Sequence, residues 1–378
     1  MITDSYKPGL EGVVAGTTTI CSVDSERNRL CYRGYDVRDF VLNHTAYEEV
    51  AYLLLNEKLP NRSELEIFQQ TLAANRTLPE SVLGVLRQLP KAAHPMEHLR
   101  AGVDVLVMQD PDRTDSSHEA NIRKATRLLA QVPVLVAANH RLSQGLPLIE
   151  PADSRLTLAE NFLYMLSGEM PSPVRSRIFN ATLVLYAEHG FNASTFTARV
   201  VASTQSDLHS ALSAAIGALK GPLHGGANEK AMNMLLEIGG IEKVDAFVAD
   251  ALAAKKKIMG FGHREYKTCD PRAVVLKGLA RDLANELGDT QWLDMGDRVE
   301  ALLSQEKGLF PNVDFPIGYI YYMLGIPTPV YTPIFALGRV AGWTAHIIEQ
   351  LDNNRLIRPK VIYEGPDSQT YLPLDERP

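Results

Sequence analysis

Apolar residues recur at helical spacing over most of this chain, and only the first forty residues read differently. There, Thr17 to Val23, a polar stretch from Asp24 to Asn28, and Leu30-Cys31-Tyr32 predict a small β-hairpin. From Thr45 the pattern turns helical. Thr45 with Glu48 and Ser63 with Glu66 fit the capping box, in which side chains satisfy the first free amides of a helix. Leu53, Leu54 and Leu55 would pack the first helix, and Pro60 would stop it. Further helices are predicted near residues 82–88, 95–109, 116–142, 156–167, 173–189, 193–219, 226–238, 244–257, 271–287, 292–306, 316–324 and 333–351. Pro133 should kink or split the 116–142 helix. Residues 315–338 carry no charge and are long enough to span a bilayer. Pro316, Pro327, Pro329 and Pro333 interrupt them, however, so buried helices joined by a turn are expected. No internal repeat or low-complexity run breaks the pattern. The fold class is mainly α with a small N-terminal β-hairpin.

Composition narrows the function classes. A chain of 378 residues makes two or three domains and buries a large core. Apolar content of 45% and charged content of 22% belong to an ordinary soluble globular protein. A net charge of −7 argues against nucleic acid or an anionic membrane as the main partner, so any bound anion must be drawn by local basic clusters. Cys21, Cys31 and Cys269 form no CxxC pair, and no signal-peptide pattern opens the chain. A cytoplasmic protein is expected.

Several stretches offer chemistry. Gly260-Phe261-Gly262-His263-Arg264-Glu265-Tyr266-Lys267, running on to Asp270-Pro271-Arg272, places one imidazole, two guanidinium groups and one ammonium group within ten residues. Such a loop suits a multiply charged anion with one proton to be handled, or is a solvated basic loop. Lys220-Gly221-Pro222-Leu223-His224-Gly225-Gly226 sets a histidine in a glycine-rich turn before a helix, where amides can receive an oxyanion. A plain interhelical turn fits it equally well. His189 follows a helix, where it serves as a ligand group or only meets the helix dipole. Asp314, between aromatics and prolines, is either a carboxylate made basic by apolar surroundings or a helix cap. Arg339 in an apolar helix requires an anionic partner, internal or bound. His94-Pro95-Met96-Glu97-His98 matches H-x-x-E-H, with a helix start favoured over a metal site.

Together, Ala187-Glu188-His189-Gly190-Phe191-Asn192-Ala193-Ser194-Thr195, Gly221-Pro222-Leu223-His224-Gly225-Gly226-Ala227, Gly260 to Arg264, Asp270-Pro271-Arg272, Asn312-Val313-Asp314 and Arg358-Pro359-Lys360 resemble the citrate synthase family, in its order and over nearly the whole chain. Glu265, where an apolar residue is expected, is the main departure. The likeness is to the shorter bacterial and archaeal branch, which includes 2-methylcitrate synthases. It implies an α-helical homodimer with a large domain (residues 1–222 and 326–378) and a small one (223–325) closing over a cleft. It further implies condensation of acetyl-CoA with oxaloacetate and hydrolysis of the citryl thioester, with propionyl-CoA as the alternative acyl donor. Asp314 would be the base, His224 would stabilise the enolate, and His263 would polarise the ketone and protonate it. His189, His263, Arg272, Arg339 and, across the dimer, Arg358 would hold oxaloacetate. Lys257, Ile258, Met259, Gly260, Phe261 and Lys267 would line the CoA channel. No metal or redox cofactor is implied. A different class, a metal-dependent hydrolase using His189, His224, His263 and Asp314, would need ligands far apart in sequence.

Overall fold

The computed structural model describes residues 6–152, 155–263, 265, 266 and 268–378. Strands β1 (Cys21–Asp24), β2 (Arg29–Tyr32) and β3 (Tyr35–Asp36) form one antiparallel sheet in that order, with Cys21 opposite Tyr32 and Cys31 opposite Asp36. The expected hairpin is present, and β3 extends it by a short strand the pattern did not reveal. Helices α1 (Val37–Leu42), α2 (Tyr47–Asn56), α3 (Arg62–Ala74), α4 (Glu80–Gln88), α5 (Pro95–Gln109), α6 (His118–Ser143), α7 (Leu158–Ser167), α8 (Pro173–Tyr186), α9 (Ala193–Ser203) and α10 (Leu208–Lys220) follow. The chain continues through α11 (Ala227–Ile238), α12 (Val244–Ala253), α13 (Pro271–Leu287), α14 (Gln291–Lys307), α15 (Asp314–Met323) and α16 (Tyr331–Asp352).

Helix α16 is the axis of the molecule. It is apolar nearly all round, as a helix enclosed by others must be, and Trp343, Val340, Ala341 and Ile347 have no exposed surface. Helices α2, α6, α8, α9 and α10 pack against it. A Cβ on Gly342 would lie 2.2 Å from Glu188 Oε2 and 2.3 Å from the Ala187 carbonyl oxygen. Only glycine lets α16 approach the chain leaving α8 this closely, and the Gly342 amide donates to that carbonyl at 3.1 Å. This contact fixes the segment that carries His189. Helices α11, α13, α14 and α15 pack on one another, with α13 also against α8 and α11 against α16.

Local chemistry moves several predicted boundaries. The 193–219 helix is two helices: the chain turns at Gln205 (φ 64°), and Asp207 caps α10 by accepting from Ser210 N. The helix predicted to end at residue 189 stops at Tyr186. Neither predicted capping box forms. Helix α2 has Ala46 at its N-cap without a side-chain bond, because Glu48 turns inward and accepts from Leu158 N at 2.6 Å, the first amide of α7. The box at α3 lies two residues earlier, between Asn61 and Glu64. Pro133 is accommodated within an unbroken α6. Residues 315–338 form buried parts of α15 and α16 joined by a turn, as expected, and no helix among the described residues is long and apolar enough to cross a membrane. His94 and Glu97 form a capping box at the start of α5, the structural alternative for H-x-x-E-H.

Candidate active site

Four predicted residues, His189, His224, His263 and Asp314, sit half-buried at the ends of different elements, above two fully buried arginines. His189 lies in the link between α8 and α9. Its ring centroid is 5.1 Å from that of His263, and its Nε2 is 3.3 Å from the Tyr266 hydroxyl. Burial pushes the His189 pKa well below its ordinary value, assisted by the positive charges of Arg272, His263 and Arg339. The ring is therefore neutral.

The tautomers of the other two histidines follow from their backbone partners. His263 Nδ1 accepts from Glu265 N at 3.0 Å and Tyr266 N at 3.3 Å. Since Nδ1 accepts, the neutral ring carries its proton on Nε2. Burial, then Arg272, lowers its pKa to about 4. His224 Nε2 accepts from Ser194 N at 3.2 Å, so its proton is on Nδ1; burial, then Arg339, sets its pKa at about 4. The Ser194 hydroxyl, 2.8 Å from the same nitrogen, is braced by Trp343 Nε1 at 3.1 Å. The tight turn that presents His224 depends on Gly225, where a Cβ would lie 2.0 Å from the Leu219 carbonyl oxygen. His263 and His224 thus each present one N–H donor while neutral.

Asp314 opens α15, but its side chain does not cap the helix. The N-cap position belongs to Val313, and Asp314 Oδ1 instead accepts from the Tyr186 hydroxyl at 3.2 Å. Desolvation raises its pKa to about 6, outweighing the lowering by Arg272 and by the Tyr186 bond. It is mostly ionised at neutral pH and strengthened as a base.

The arginines divide their partners differently. Arg272 is 3% exposed and paired with Asp270 through two parallel bonds, Nε to Oδ1 at 3.0 Å and Nη2 to Oδ2 at 2.8 Å. That pair holds the guanidinium in place and raises its pKa further. Arg339 is 2% exposed, and among the described residues it makes no ion pair. Its Nε donates to the Tyr186 carbonyl at 2.5 Å, and its guanidinium lies 4.8 Å from the Phe335 ring centroid. Burial weighs against its charged form more than the nearby Glu188 carboxylate supports it, which makes Arg339 a candidate for holding a bound anion. The sequence left an internal salt bridge open for Arg339; none forms.

The Gly260 loop is laced to the approach to α15. Asn312 N donates to the Gly260 carbonyl at 2.9 Å, Gly262 N donates to the Phe310 carbonyl at 2.9 Å, and the Phe261 ring packs at a tilt against Phe315 with centroids 4.6 Å apart. Ile258 and Phe261 are buried, Met259 is half-buried and Lys257 is exposed. Lys267 lies outside the described residues. Arg358 is exposed on the non-helical C-terminal stretch. No three His, Cys, Asp or Glu side chains among the described residues converge on a metal position. Tyr186, Ser194, Asn228, Tyr266 and Asp270 belong to the site and were not foreseen as functional. Only the short spacing of Asp270 to Arg272 could have signalled one of them.

The family described as citrate synthase, C-terminal domain, matches residues 9–360. Citrate synthase 2 of Bacillus subtilis is 48% identical over 98% of both chains. The 2-methylcitrate synthase of Mycobacterium tuberculosis is 45% identical over 97% of this chain and 92% of that relative. A citrate synthase from the archaeon Thermoplasma acidophilum, solved as a ternary complex with carboxymethyl coenzyme A and oxaloacetate, superposes with a TM-score of 0.92 at 33% identity, covering 98% of this chain and 99% of that one. The chain belongs to the citrate synthase family and is an enzyme of the citrate synthase type.

Proposed function

We propose that the enzyme condenses acetyl-CoA with oxaloacetate and hydrolyses the resulting citryl thioester. The observation that carries this reading is the gathering of one raised carboxylate and two neutral imidazole donors about the same two buried guanidinium groups, Arg272 and Arg339. Asp314 takes a proton from the acyl methyl group. The electron pair moves onto the thioester oxygen, where the His224 Nδ1–H receives the developing charge. The enolate carbon attacks the ketone of oxaloacetate. His263 donates from Nε2 as that oxygen becomes an alkoxide, and the Glu265 and Tyr266 amides that donate to Nδ1 stabilise the ring as it gives up the proton.

Oxaloacetate carries two carboxylates, which guanidinium forks match. Arg339 and Arg272 hold it from within the chain, His189 contacts it, and Arg358 of the partner subunit completes the cage in a homodimer. The ternary structure of the Thermoplasma relative supports both ligands as the class of substrate. Residues 257–261 and Lys267 line the CoA path. The domain formed by residues 223–325 closes over the rest of the chain and excludes water during condensation. No resident metal or redox cofactor is required, and the site of action is the cytoplasm.

The 45% identity to a 2-methylcitrate synthase keeps propionyl-CoA in view as the donor. One methyl group is worth only about 1–3 kcal/mol of discrimination. Free CoA thiol release with oxaloacetate, measured with acetyl-CoA and propionyl-CoA in parallel, decides the matter. A higher kcat/KM for acetyl-CoA is expected. The reverse would make propionyl-CoA the substrate, and no release with either from folded enzyme would overturn the assignment.

A further inference from the structure

We infer that Tyr186 is a positioning residue for the base, its hydroxyl aiming one oxygen of Asp314 and leaving the other for the acyl methyl group. The inference rests on Asp314 being the base. Three hydrogen bonds run in a fixed direction. The Glu229 amide donates to Asn228 Oδ1 at 2.7 Å, which fixes the side-chain amide so that its nitrogen faces Tyr186. Asn228 Nδ2 then donates to the Tyr186 hydroxyl at 3.1 Å. With its lone pair so engaged, the phenol donates its single proton to Asp314 Oδ1 at 3.2 Å. Asp314 Oδ2 has no protein donor among the described residues and is free to accept from carbon.

The surroundings keep Tyr186 in this role. It has no exposed surface and its ring packs 4.2 Å from Phe335. Burial raises its pKa, so the phenol stays protonated and remains a donor throughout turnover. Its carbonyl meanwhile accepts from Arg339 Nε. One residue therefore joins the arginine assigned to oxaloacetate and the carboxylate assigned to the acyl donor. Tyr186 lies at the end of α8, whereas Asn228 and Asp314 open α11 and α15. The hydroxyl thus ties together three helix ends. Tyr186 keeps its proton; it stabilises the ionised carboxylate and restricts its rotation.

The groups acting on Asp314 are Arg272 of α13, Asp270 at its cap, Arg339 of α16 and Tyr186 of α8, with Tyr321 of α15 also within electrostatic reach. Tyr186→Phe leaves the charged members of this set, the ring packing and the carbonyl in place, and removes only the donor. Loss of a donor to the ionised form raises the carboxyl pKa. The acid limb of the pH profile of kcat should therefore move up by roughly one pH unit, and kcat should fall about 10- to 100-fold. Proton abstraction should also become more rate-limiting, so the isotope effect with methyl-deuterated acetyl-CoA should grow while KM for oxaloacetate stays within about twofold.

The experiment measures pH profiles and isotope effects of thiol release for the parent, Tyr186→Phe, Asn228→Ala and Asp314→Asn. Asn228→Ala keeps the phenol but removes its orienting donor, and should show the same shifts in smaller measure; it decides the question if Tyr186→Phe fails to fold. An unmoved acid limb and isotope effect, with or without a lower kcat, would reduce Tyr186 to a packing residue. Retained activity in Asp314→Asn would instead remove the base assignment on which the inference stands.

Discussion

Asp314 stands under two opposed demands. Its proposed role as the base requires the ionised form, while its surroundings favour the neutral one, raising its pKa from 3.8 to about 6. Thiol release should therefore fall as pH drops through about 6. His224 and His263, held near 4, are already neutral there and should add no limb to the free-enzyme profile until well below it. A titration of kcat/KM checks this; a midpoint at the ordinary carboxylate value would contradict the burial argument. The histidines, the acid and Arg272 stand in recognisable local strings, whereas Arg339 is marked only by being a lone cation in an apolar helix. The sequence could not show which ring nitrogen each histidine offers. That is decided by Ser194 N, Glu265 N and Tyr266 N, which are backbone groups invisible to residue type. Nor could it show that Arg339 makes no ion pair among the described residues and feels the Glu188 carboxylate only from a distance.

At the scale of elements, the site depends on how closely α16 approaches the end of α8. Gly342→Ala would drive a methyl group into the Ala187 carbonyl and the Glu188 carboxylate, contacts far inside van der Waals distance. Overpacking of this kind costs about 1–3 kcal/mol or more. The variant should melt several degrees lower and show a raised KM for oxaloacetate, because the displaced segment carries His189. A parental melting temperature with parental KM would show that the segment yields without consequence. Apolar spacing located nearly every helix, since periodicity survives wherever one face is buried. It failed at ends set by single polar side chains. Asp207 divided one predicted helix, and Glu48 served α7 across space instead of capping its own helix. The partner of Glu48 lies 110 residues away, where no local pattern encodes it, while Asp207 caps through Ser210 within a stretch whose apolar spacing runs on unbroken.

For the whole molecule, a protein of net charge −7 must draw two polyanionic substrates together. Of the basic groups assigned to that task, Arg272 and Arg339 are buried, Lys257 is exposed before Gly260, and Arg358 is exposed on the C-terminal stretch of its own chain. The proposed dimer would bring it to the partner's oxaloacetate. Mixed dimers of Arg358→Ala and Asp314→Asn subunits test this directly. If Arg358 acts across the interface, each mixed dimer contains one fully equipped site, and mixing two impaired variants restores thiol release. No restoration from verified mixed dimers would confine Arg358 to its own subunit or exclude it from the site.

The central claim is that Asp314 removes the proton that starts condensation. Thiol release by Asp314→Asn, with oxaloacetate binding measured by calorimetry on the same preparation, tests it most directly. Asparagine keeps the shape and can still accept from Tyr186, but cannot take a proton from carbon. The account predicts a loss of about 10³-fold or more in kcat with oxaloacetate affinity unchanged. Near-parental turnover by folded Asp314→Asn would contradict it.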